Sequence, residues 1–432
     1  MEKLSNEALR AFRREADDRY KAFVARGVCL DLSRGNPAPE QLDLSRELLN
    51  AASDGDYLTS DGIDCRGYNG GVLGISEARH LFAPLLGATP DQVMASGNSS
   101  LALMHDALTF AYLHGVPGGS GAWHKAEQQT AFLCPAPGYD RHFRICETLG
   151  IRMIPVPMQA DGPDMDVVEE LAADPTVRGM WSVPQYSNPT GVTYSEEVVR
   201  RIAAMQTGAP DFRVFWDNAY AVHDLNETEQ ERVASLIEAC MQAGHADRPF
   251  VFASTSKITL PGAGVAFFAS SEANLSWFCH HVNRRTIGPN KINQLRHVRF
   301  LGDLDGINAH MSRHRALLKP KFDAVLSTLD EHLGGKDVAR WTNPRGGYFI
   351  NIDLHGGGAR RVASLALDAG IRLTPAGATF PYGDDPADQN LRIGPSGGTV
   401  EALRTAAEGL SLSILLAAAD GHLARRASAL VA

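Results

Sequence analysis

One lysine in this sequence has the setting of a reactive amine. Lys257 follows an apolar segment, Pro249 to Ala253, whose short length and aromatic and β-branched residues predict a buried strand. A Pro261 to Gly264 turn and a second apolar segment come after it. Burial at the strand end, beside another cation, would lower the pKa of the amine from about 10.4 and make it reactive toward carbonyl groups. The alternative is an ordinary solvated lysine in a loop, which this segment alone does not exclude.

A second group of residues, Ser96 to Ser100, could bind an anion. It lies between a predicted strand, Val93 to Ala95, and an amphipathic helix that starts at Leu101. A glycine turn with hydroxyl side chains at the start of a helix offers free N–H groups and the positive end of the helix dipole, which suits a phosphate. The alternative is a plain helix N-cap.

Further polar side chains follow other predicted strands. Tyr139 offers an aromatic face, Asn188 a hydrogen-bond donor, Asp217 a carboxylate and Tyr220 a phenol. A pyridine cofactor that carries a phosphate and an aldehyde would use all of these groups together with Lys257. The amine would react with the aldehyde, the carboxylate would keep the ring nitrogen protonated, and the phenol and amide would donate to the ring oxygen.

Alternating strand and helix patterns must position these residues. Such alternation predicts an α/β fold with a mainly parallel sheet and helices on both faces. In sheets of this kind, functional groups gather where the strands end at their carboxyl edge. We therefore expect the polar side chains that follow the strands to share one crevice.

The pattern changes in the last third of the chain. Long helical stretches are predicted from His280 to Phe300 and from Ile307 to Leu333, followed by a smaller α+β region. An amphipathic helix is predicted at the N-terminus, in residues 5–26. We expect an N-terminal segment (residues 1–48) that packs with the small domain, a large cofactor-binding domain (residues 49–315) and a small C-terminal domain (residues 316–432).

Composition excludes several classes of protein. The 432 residues are 44% hydrophobic and 21% charged, as in ordinary soluble proteins, and no run of eighteen apolar residues occurs. The N-terminus lacks the apolar core of a signal peptide, so a cytoplasmic protein is expected. Six scattered cysteines without a C-x-x-C pair favour free thiols over disulfides or a metal site. A formal charge of −9 argues against nonspecific nucleic-acid binding.

Eight segments follow one another along the chain in a recognisable order. They are Leu32 to Pro37, Ser96 to Leu101, Pro137 to Tyr139 with His142, Ser187 to Gly191, Asp217 to Tyr220, Ser254 to Lys257, Pro344 to Phe349 and Leu391 to Ile393. In this order they resemble the fold type I pyridoxal-phosphate aminotransferases, most closely the aspartate aminotransferase subgroup that overlaps the MocR-type aminotransferase-like proteins. The resemblance implies pyridoxal 5′-phosphate as cofactor and a large domain with a mainly parallel seven-stranded sheet, next to a smaller α+β domain.

The resemblance also implies roles for individual residues. Lys257 would form the Schiff base and then move the proton from Cα, Asp217 would pair with the pyridinium, and His142 would support Asp217. Arg392 would bind the substrate α-carboxylate through a bidentate fork. Tyr68 would reach the phosphate site of a neighbouring subunit, which implies a homodimer with shared active sites. Further cofactor contacts would come from Asn98, Ser99, Tyr139, Asn188, Tyr220 and Ser254, with Tyr220 also catalytic, and further substrate contacts from Gly35 and Asn188.

Two features depart from the family pattern. The family places a phosphate-binding arginine shortly after the Schiff-base lysine, whereas Gly262 to Val265 contains none. Either helix-end amides carry more of the anion or another cation replaces the arginine. The loop around Tyr68 is also one residue longer than usual.

The expected activity is transfer of an amino group between an amino acid, most favourably L-aspartate, and a 2-oxo acid such as 2-oxoglutarate by a ping-pong mechanism. An aspartate enzyme needs a second cation for the side-chain carboxylate, and Arg34, Lys291 and Arg345 are the candidates, each of which could instead be a surface charge. One alternative is another amino donor or a lyase outcome from the same cofactor. The other is a non-catalytic effector-binding module related to MocR regulators. For the expected enzyme, neither nucleic acid nor a membrane is an expected partner.

Overall fold

The computed structural model of the chain describes residues 1, 4–52 and 55–429. Within these residues, strands and helices alternate up to β9, and the remainder is mostly helical. The helices are α1 (Asn6–Val24), α2 (Pro39–Asp43), α3 (Ser76–Phe82), α4 (Ser100–His114), α5 (Asp140–Leu149), α6 (Met165–Ala172), α7 (Glu196–Ala204), α8 (Leu236–Gln242), α9 (Glu272–Arg285), α10 (Lys291–Leu301), α11 (Leu304–Leu333), α12 (Ala359–Asp368) and α13 (Val400–Ala429). The strands are β1 (Leu30–Asp31), β2 (Val93–Ala95), β3 (Ala131–Ala136), β4 (Arg152–Gln159), β5 (Gly162–Pro163), β6 (Val177–Ser182), β7 (Arg213–Asp217), β8 (Pro249–Ser254), β9 (Ala266–Ala269), β10 (Ala339–Trp341), β11 (Ile350–Leu354), β12 (Ile371–Arg372) and β13 (Asn390–Ile393). Short 3-10 helices cover Arg46–Asn50, Ala83–Leu86, Pro90–Gln92, Trp123–Lys125, Pro261–Ala263 and Pro381–Gly383.

The central sheet has the order β2-β9-β8-β7-β6-β3-β4-β5. Its central pairs, from β8 across to β4, are parallel, and β9 runs antiparallel to both β2 and β8. The prediction of a mainly parallel α/β sheet is confirmed. The described sheet has eight strands rather than seven because the two-residue strand β5 pairs antiparallel with the end of β4. A strand of two residues has no alternating pattern that a sequence could reveal.

Both faces of the sheet are buried, as the apolar strands predicted. On β8, Val251 and Ala253 contribute to one hydrophobic cluster, while Phe250 and Phe252 contribute to the cluster on the opposite face. Successive side chains of a strand point to opposite faces, so a strand covered on both sides must be apolar at every position. This burial holds the carboxyl ends of β7 and β8 in fixed positions next to each other.

A third hydrophobic cluster joins the two ends of the chain. Tyr20 and Phe23 of α1 pack with Leu318 of α11 and Leu410 of α13. The three-stranded antiparallel sheet β10-β11-β13 lies in the same cluster. This arrangement supports an N-terminal segment that packs with a small C-terminal domain. The boundaries at residues 48 and 315 remain predictions.

The prediction of one helical stretch from His280 to Phe300 is wrong, because two separate helices cover this region. The structure ends α9 at Arg285 and begins α10 at Lys291. Gly288 and Pro289 lie between the two helices, and Asn290 caps α10 by accepting a hydrogen bond from the Asn293 N–H at 3.1 Å. A glycine and a proline followed by an asparagine favour a helix boundary over a continuous helix.

The last described helix, α13, runs from Val400 to Ala429. Among the described residues, it is the one helix long and apolar enough to span a membrane by length and composition. However, 72% of its apolar window is buried inside the protein. This burial is typical of a core helix in a globular protein.

Candidate active site

Lys257 lies in the connection from β8 to β9, here called the lysine loop (residues 255–265). Its Nζ lies 4.9 Å from the centre of the Tyr220 ring, a distance at which a cation and an aromatic face attract each other. Burial lowers the pKa of Lys257, and the negative charge of Asp217 opposes part of that shift. The amine therefore loses its proton more readily than an exposed lysine does.

Asp217 is the last residue of β7 and is 3% exposed. Its Oδ2 lies 3.1 Å from Nε2 of His142, whose ring stacks on Trp181 with 4.3 Å between ring centres. The other carboxylate oxygen, Oδ1, is buried and has no hydrogen-bond partner among the described residues. A buried carboxylate oxygen is costly unless a donor reaches it, so this atom fits a ligand that carries an N–H group.

Two tyrosines flank this carboxylate. Tyr139 precedes α5 and meets the ring of His142 edge-on at 4.9 Å between centres. Burial, with the nearby charge of Asp217, raises the pKa of Tyr139 to about 12. Burial also raises the pKa of Tyr220 well above its ordinary value. Both phenols therefore keep their protons near neutral pH and can donate hydrogen bonds.

The start of α4 and the lysine loop meet at the predicted phosphate end. Ser99 caps α4 by accepting from the Ala102 N–H at 3.2 Å. Asn98 Nδ2 donates to the Pro261 carbonyl at 3.1 Å. Ser256 Oγ donates to the Asn98 carbonyl at 3.1 Å and lies 3.1 Å from Ser254 Oγ. Hydroxyls, an amide and helix N–H groups thus gather where the family would add an arginine.

Gly264 lies close to the position of that missing arginine. A Cβ atom at Gly264 would lie 3.1 Å from Thr255 Oγ1 and 3.4 Å from the Ser256 nitrogen. A larger side chain there would have to displace the hydroxyl of Thr255. The lysine loop is thus closely packed at the position where the family carries its arginine.

Arg392 of β13 is held by several neighbours, which include Thr374 at 3.4 Å from its Nε. Its Nη1 donates to Asp140 Oδ1 at 2.9 Å and to Asn188 Oδ1 at 3.2 Å. Its guanidinium also lies over the Phe349 ring, 4.9 Å from the centre. Arg392 is 8% exposed, so these contacts fix a nearly buried cation. A planar cation held in this way suits a carboxylate ligand.

Gly35 lies close to this arginine, at a position that has no room for a larger residue. A Cβ atom at Gly35 would overlap the Phe349 ring. The chain at Gly35 also passes close to Gly394, immediately after β13. The structure therefore brings Gly35, Asn188 and Arg392 together at one end of the site.

Two of the candidate cations are paired on the surface. Arg345 is about half exposed and lies 3.4 Å from Glu231. Arg34, although next to Gly35 in sequence, has a side chain that is 73% exposed and lies 3.8 Å from Asp31. Among the described residues, neither guanidinium contacts Arg392 or the side chains that hold it.

Lys291 lies beside the glycine-rich loop that carries Tyr68. It starts α10 and is 4% exposed, and its side chain lies close to Gly70 and Gly288. Tyr68 comes from the same glycine-rich loop and is 77% exposed. The ring of Tyr68 therefore packs against little of its own chain.

Sequence reasoning missed two contacts of Arg392. Asp140 directly follows Tyr139 in the chain, but nothing in the sequence links it to an arginine 252 residues away. Phe349 falls in a segment that resembles the family, yet its place beneath the guanidinium follows only from the pairing of β11 with β13. The one available signal was the acidic residue at the start of α5. That position has an ordinary explanation as well, because an acidic first turn stabilises a helix.

These residues fit pyridoxal 5′-phosphate. The unpartnered Oδ1 of Asp217 can accept from the protonated ring nitrogen, Lys257 offers its amine to the aldehyde, and Tyr139 offers an aromatic face. The serine hydroxyls and the start of α4 offer donors for the phosphate. The whole donor set matches the groups that this cofactor carries.

Comparisons with known proteins agree with this chemistry. A family model described as aspartate amino-transferase matches residues 4–426. A curated aspartate aminotransferase from Corynebacterium glutamicum is 48% identical over 96% of both chains. A 2-aminoadipate transaminase from Thermus thermophilus is 26% identical over 84% of both chains.

A solved structure gives the same result for the fold. The crystal structure of an aspartate transaminase from Corynebacterium glutamicum superposes with a TM-score of 0.95 and 47% identity, covering 97% of this chain and 98% of that chain. The similarity therefore extends over nearly the whole length of both chains.

Proposed function

This chain belongs to the aspartate amino-transferase family, and on that premise we propose that it transfers an amino group between L-aspartate and a 2-oxo acid such as 2-oxoglutarate, by a ping-pong mechanism. The chain is a pyridoxal-phosphate-dependent aminotransferase with the fold type I architecture. The choice of aspartate rests on the relative from Corynebacterium glutamicum, which carries that name at 48% identity.

The observation that carries the proposed mechanism is the buried Asp217 with one oxygen on His142 and the other free. When bound, pyridoxal 5′-phosphate takes up the amino group and withdraws electrons from the substrate Cα. Asp217 Oδ1 holds a proton on the ring nitrogen, and His142 fixes the carboxylate from the other side. The stacking of His142 on Trp181 keeps that pair in place.

Lys257 is the base in this proposal. Because burial lowers its pKa, its Nζ can hold a free lone pair and take the proton that leaves the substrate Cα. Lys257 Nζ would then deliver that proton to the cofactor carbon that carried the aldehyde, which frees its lone pair again. The phenol of Tyr220, beneath the amine, keeps its own proton and acts as a hydrogen-bond donor.

Arg392 orients the amino acid. Its guanidinium binds the α-carboxylate, and Asn188 and Gly35 line the same end of the site. Of the three candidates for the side-chain carboxylate, Lys291 is the best supported, because it is buried beside the loop of Tyr68 whereas Arg34 and Arg345 are exposed and paired. Since Tyr68 is itself exposed, we propose that this loop reaches the active site of a partner in a cytoplasmic homodimer.

A half-reaction tests the proposed activity. The holoenzyme is mixed with L-aspartate without a 2-oxo acid, and the released product is identified. Oxaloacetate supports amino transfer from aspartate. Pyruvate would indicate a lyase outcome, and reaction only with 2-aminoadipate would favour the donor of the relative from Thermus thermophilus.

The non-catalytic alternative makes a different prediction. An effector-binding module related to MocR regulators would hold the cofactor but would catalyse no transfer. It would act with a DNA-reading partner, so tight binding to a specific duplex would favour it. The match to an enzyme over 96% of both chains supports the catalytic function.

A further inference from the structure

We infer that His310 and His314 of α11 are positioning residues for Lys257, and that they act by holding the backbone carbonyl of Ile258. This inference rests on the proposed role of Lys257 as the residue that carries the cofactor. Both histidines are buried, at 2% and 0% exposure, and both lie in the helix that runs from the lysine loop into the C-terminal region. Neither touches Asp217 or Arg392 among the described contacts.

The hydrogen position on His310 is fixed by an arginine. Arg313 Nη2 lies 2.8 Å from His310 Nδ1. A guanidinium can only donate, so Nδ1 accepts and the hydrogen of the neutral ring is on Nε2. His310 Nε2 lies 2.8 Å from the carbonyl oxygen of Ile258 and therefore donates to it.

The hydrogen position on His314 is fixed by a glutamine. Gln41 Oε1 accepts from the Ala38 N–H at 3.1 Å, which identifies the other end of this side chain as the NH2 group. Gln41 Nε2 lies 3.0 Å from His314 Nδ1 and 3.0 Å from the Tyr348 hydroxyl. Nδ1 of His314 therefore accepts, and its hydrogen is also on Nε2.

The two Nε2 atoms are 3.1 Å apart, and each carries a hydrogen. Two N–H groups cannot bond to each other, so both need an acceptor nearby. His310 donates to the Ile258 carbonyl at 2.8 Å, and the same carbonyl opposes part of the fall in the pKa of His314. A carbonyl oxygen has two lone pairs and can accept from both rings. The residue next to Lys257 can thus receive two donors from one helix.

The surroundings keep both rings neutral. Burial lowers the pKa of His314 to about 3, and the neighbouring His310, His223 and Arg313 would repel a second proton. Burial also lowers the pKa of His310, while the Ile258 carbonyl opposes part of the shift. Both rings therefore keep their single Nε2 hydrogen at neutral pH.

A third histidine holds the lysine loop from the other side. His297 Nδ1 lies 2.8 Å from the Asn293 carbonyl and must donate to it, so Nε2 accepts. The hydroxyls of Thr255 and Thr259 lie 3.1 Å and 2.9 Å from that Nε2. The backbone on both sides of Lys257 is therefore anchored to side chains of α10 and α11.

This arrangement has a consequence for the position of the amine. Misplacement of a reacting group by about 1 Å can cost on the order of 10²-fold in rate. If the Ile258 carbonyl loses both donors, it is left buried and unsatisfied, and the backbone of the lysine loop must shift to find new partners. Lys257 shifts with it, while the Arg392 end of the site keeps its contacts.

The test compares donor-deficient and donor-retaining variants. The test uses two full-length double variants: the Leu pair, His310→Leu with His314→Leu, and the Gln pair, His310→Gln with His314→Gln. Each is freed of cofactor and then mixed with pyridoxal 5′-phosphate. Borohydride reduction at successive times, followed by peptide mass spectrometry, measures the rate of covalent attachment at Lys257. Glutamine offers one amide donor and one acceptor, as the neutral histidines do. The Leu pair should attach the cofactor about 10²-fold more slowly, and the Gln pair within a few-fold of the native rate.

Two further variants make the result unambiguous. Thr328→Val lies on the same helix and removes a buried hydroxyl whose one hydrogen bond among the described residues is to the Ala324 carbonyl of that helix, so it reports the effect of disturbing α11 alone. A native rate of attachment in the Leu pair would overturn the inference. Equal losses of rate in the Leu and Gln pairs, in proportion to a lower Tm as in Thr328→Val, would also overturn it. Attachment that persists at another residue in Lys257→Ala would instead overturn the proposed role of Lys257.

Discussion

Arg392 Nη1 and Asp140 Oδ1 form a nearly buried ion pair at 2.9 Å, although Asp140 belongs to α5 and Arg392 to β13. The pair joins the helix that follows Tyr139 to the strand that carries the proposed carboxylate-binding residue. It leaves the other guanidinium nitrogens of Arg392 to meet a ligand, apart from a 3.4 Å contact of Nε with Thr374. We infer that Asp140 sets the orientation in which Arg392 receives the substrate.

Replacement of Asp140 by alanine should raise the KM for the amino acid roughly 10- to 100-fold with little change in kcat, because a charge-assisted hydrogen bond contributes roughly 1.5 to 3 kcal/mol. Asp140→Asn keeps an acceptor and should change KM less. Steady-state kinetics of the two variants measure the difference. An unchanged or lower KM in Asp140→Ala would mean that Asp140 competes with the substrate for Arg392.

Asp217→Ala should lower kcat by about 10² to 10³-fold, the range found when a preorganised electrostatic group is removed. The carboxylate that pairs with the ring nitrogen is then lost, and withdrawal of electrons from Cα weakens. His142→Leu keeps the carboxylate but removes its 3.1 Å contact, so its loss should be smaller. If Asp217→Ala transferred amino groups at the native rate, the pairing of this carboxylate with the cofactor would be refuted.

Gly35→Ala should raise the KM for the amino acid, since the added methyl group overlaps the Phe349 ring beneath Arg392. The double change Gly35→Ala with Phe349→Leu gives the methyl group room and should recover part of the loss. Measurement of KM for the single and double variants tests this coupling. A silent Gly35→Ala would show that the chain at Gly35 can move away from Phe349 at no cost to binding.

Buried histidines should make the protein less stable in mild acid. Burial lowers the pKa of His297 to about 4, below the ordinary value near 6.5 of the unfolded chain. Between pH 6.5 and about 4 the unfolded state binds a proton that the folded state does not, so the free energy of unfolding falls as the pH falls through this window. At higher pH both states are neutral at this site and the dependence disappears.

Urea unfolding at pH 7, 6 and 5 measures this slope. His297→Gln should unfold with a shallower pH dependence than the native chain, because it has no proton to bind in the unfolded state. His105→Gln, which changes an exposed histidine, serves as the control and should keep the native slope. Equal slopes in all three proteins would contradict the proposed burial effect on His297.

The part of the site that lies at strand ends was predictable from the sequence. Asp217 and Lys257 follow apolar strands, and parallel neighbours deliver their carboxyl ends to one edge, so their proximity follows from pattern alone. The family resemblance then supplied His142 and Arg392 as partners. The predictions for Asp217 and Lys257 needed only local sequence and one rule of topology, whereas those for His142 and Arg392 needed the resemblance.

Contacts between distant elements were not predictable in this way. The ion pair of Arg392 with Asp140 and the convergence of His310 and His314 on Ile258 depend on how β13 and α11 pack against the sheet. Helical periodicity identifies a buried histidine only as a core residue, and it does not reveal the carbonyl that the ring will meet. The two-residue strand β5 was missed because it is too short to show a pattern.

The most direct test of the proposed function is the visible absorbance spectrum of the purified protein with pyridoxal 5′-phosphate, recorded before and after addition of aspartate, alanine and an aromatic amino acid in separate samples. A visible band from cofactor bound at Lys257 should be present, and aspartate should convert it to the pyridoxamine form more readily than the other amino acids do. A band that responds only to the other amino acids would contradict the choice of aspartate. Absence of a band even with added cofactor would contradict the proposed catalytic site.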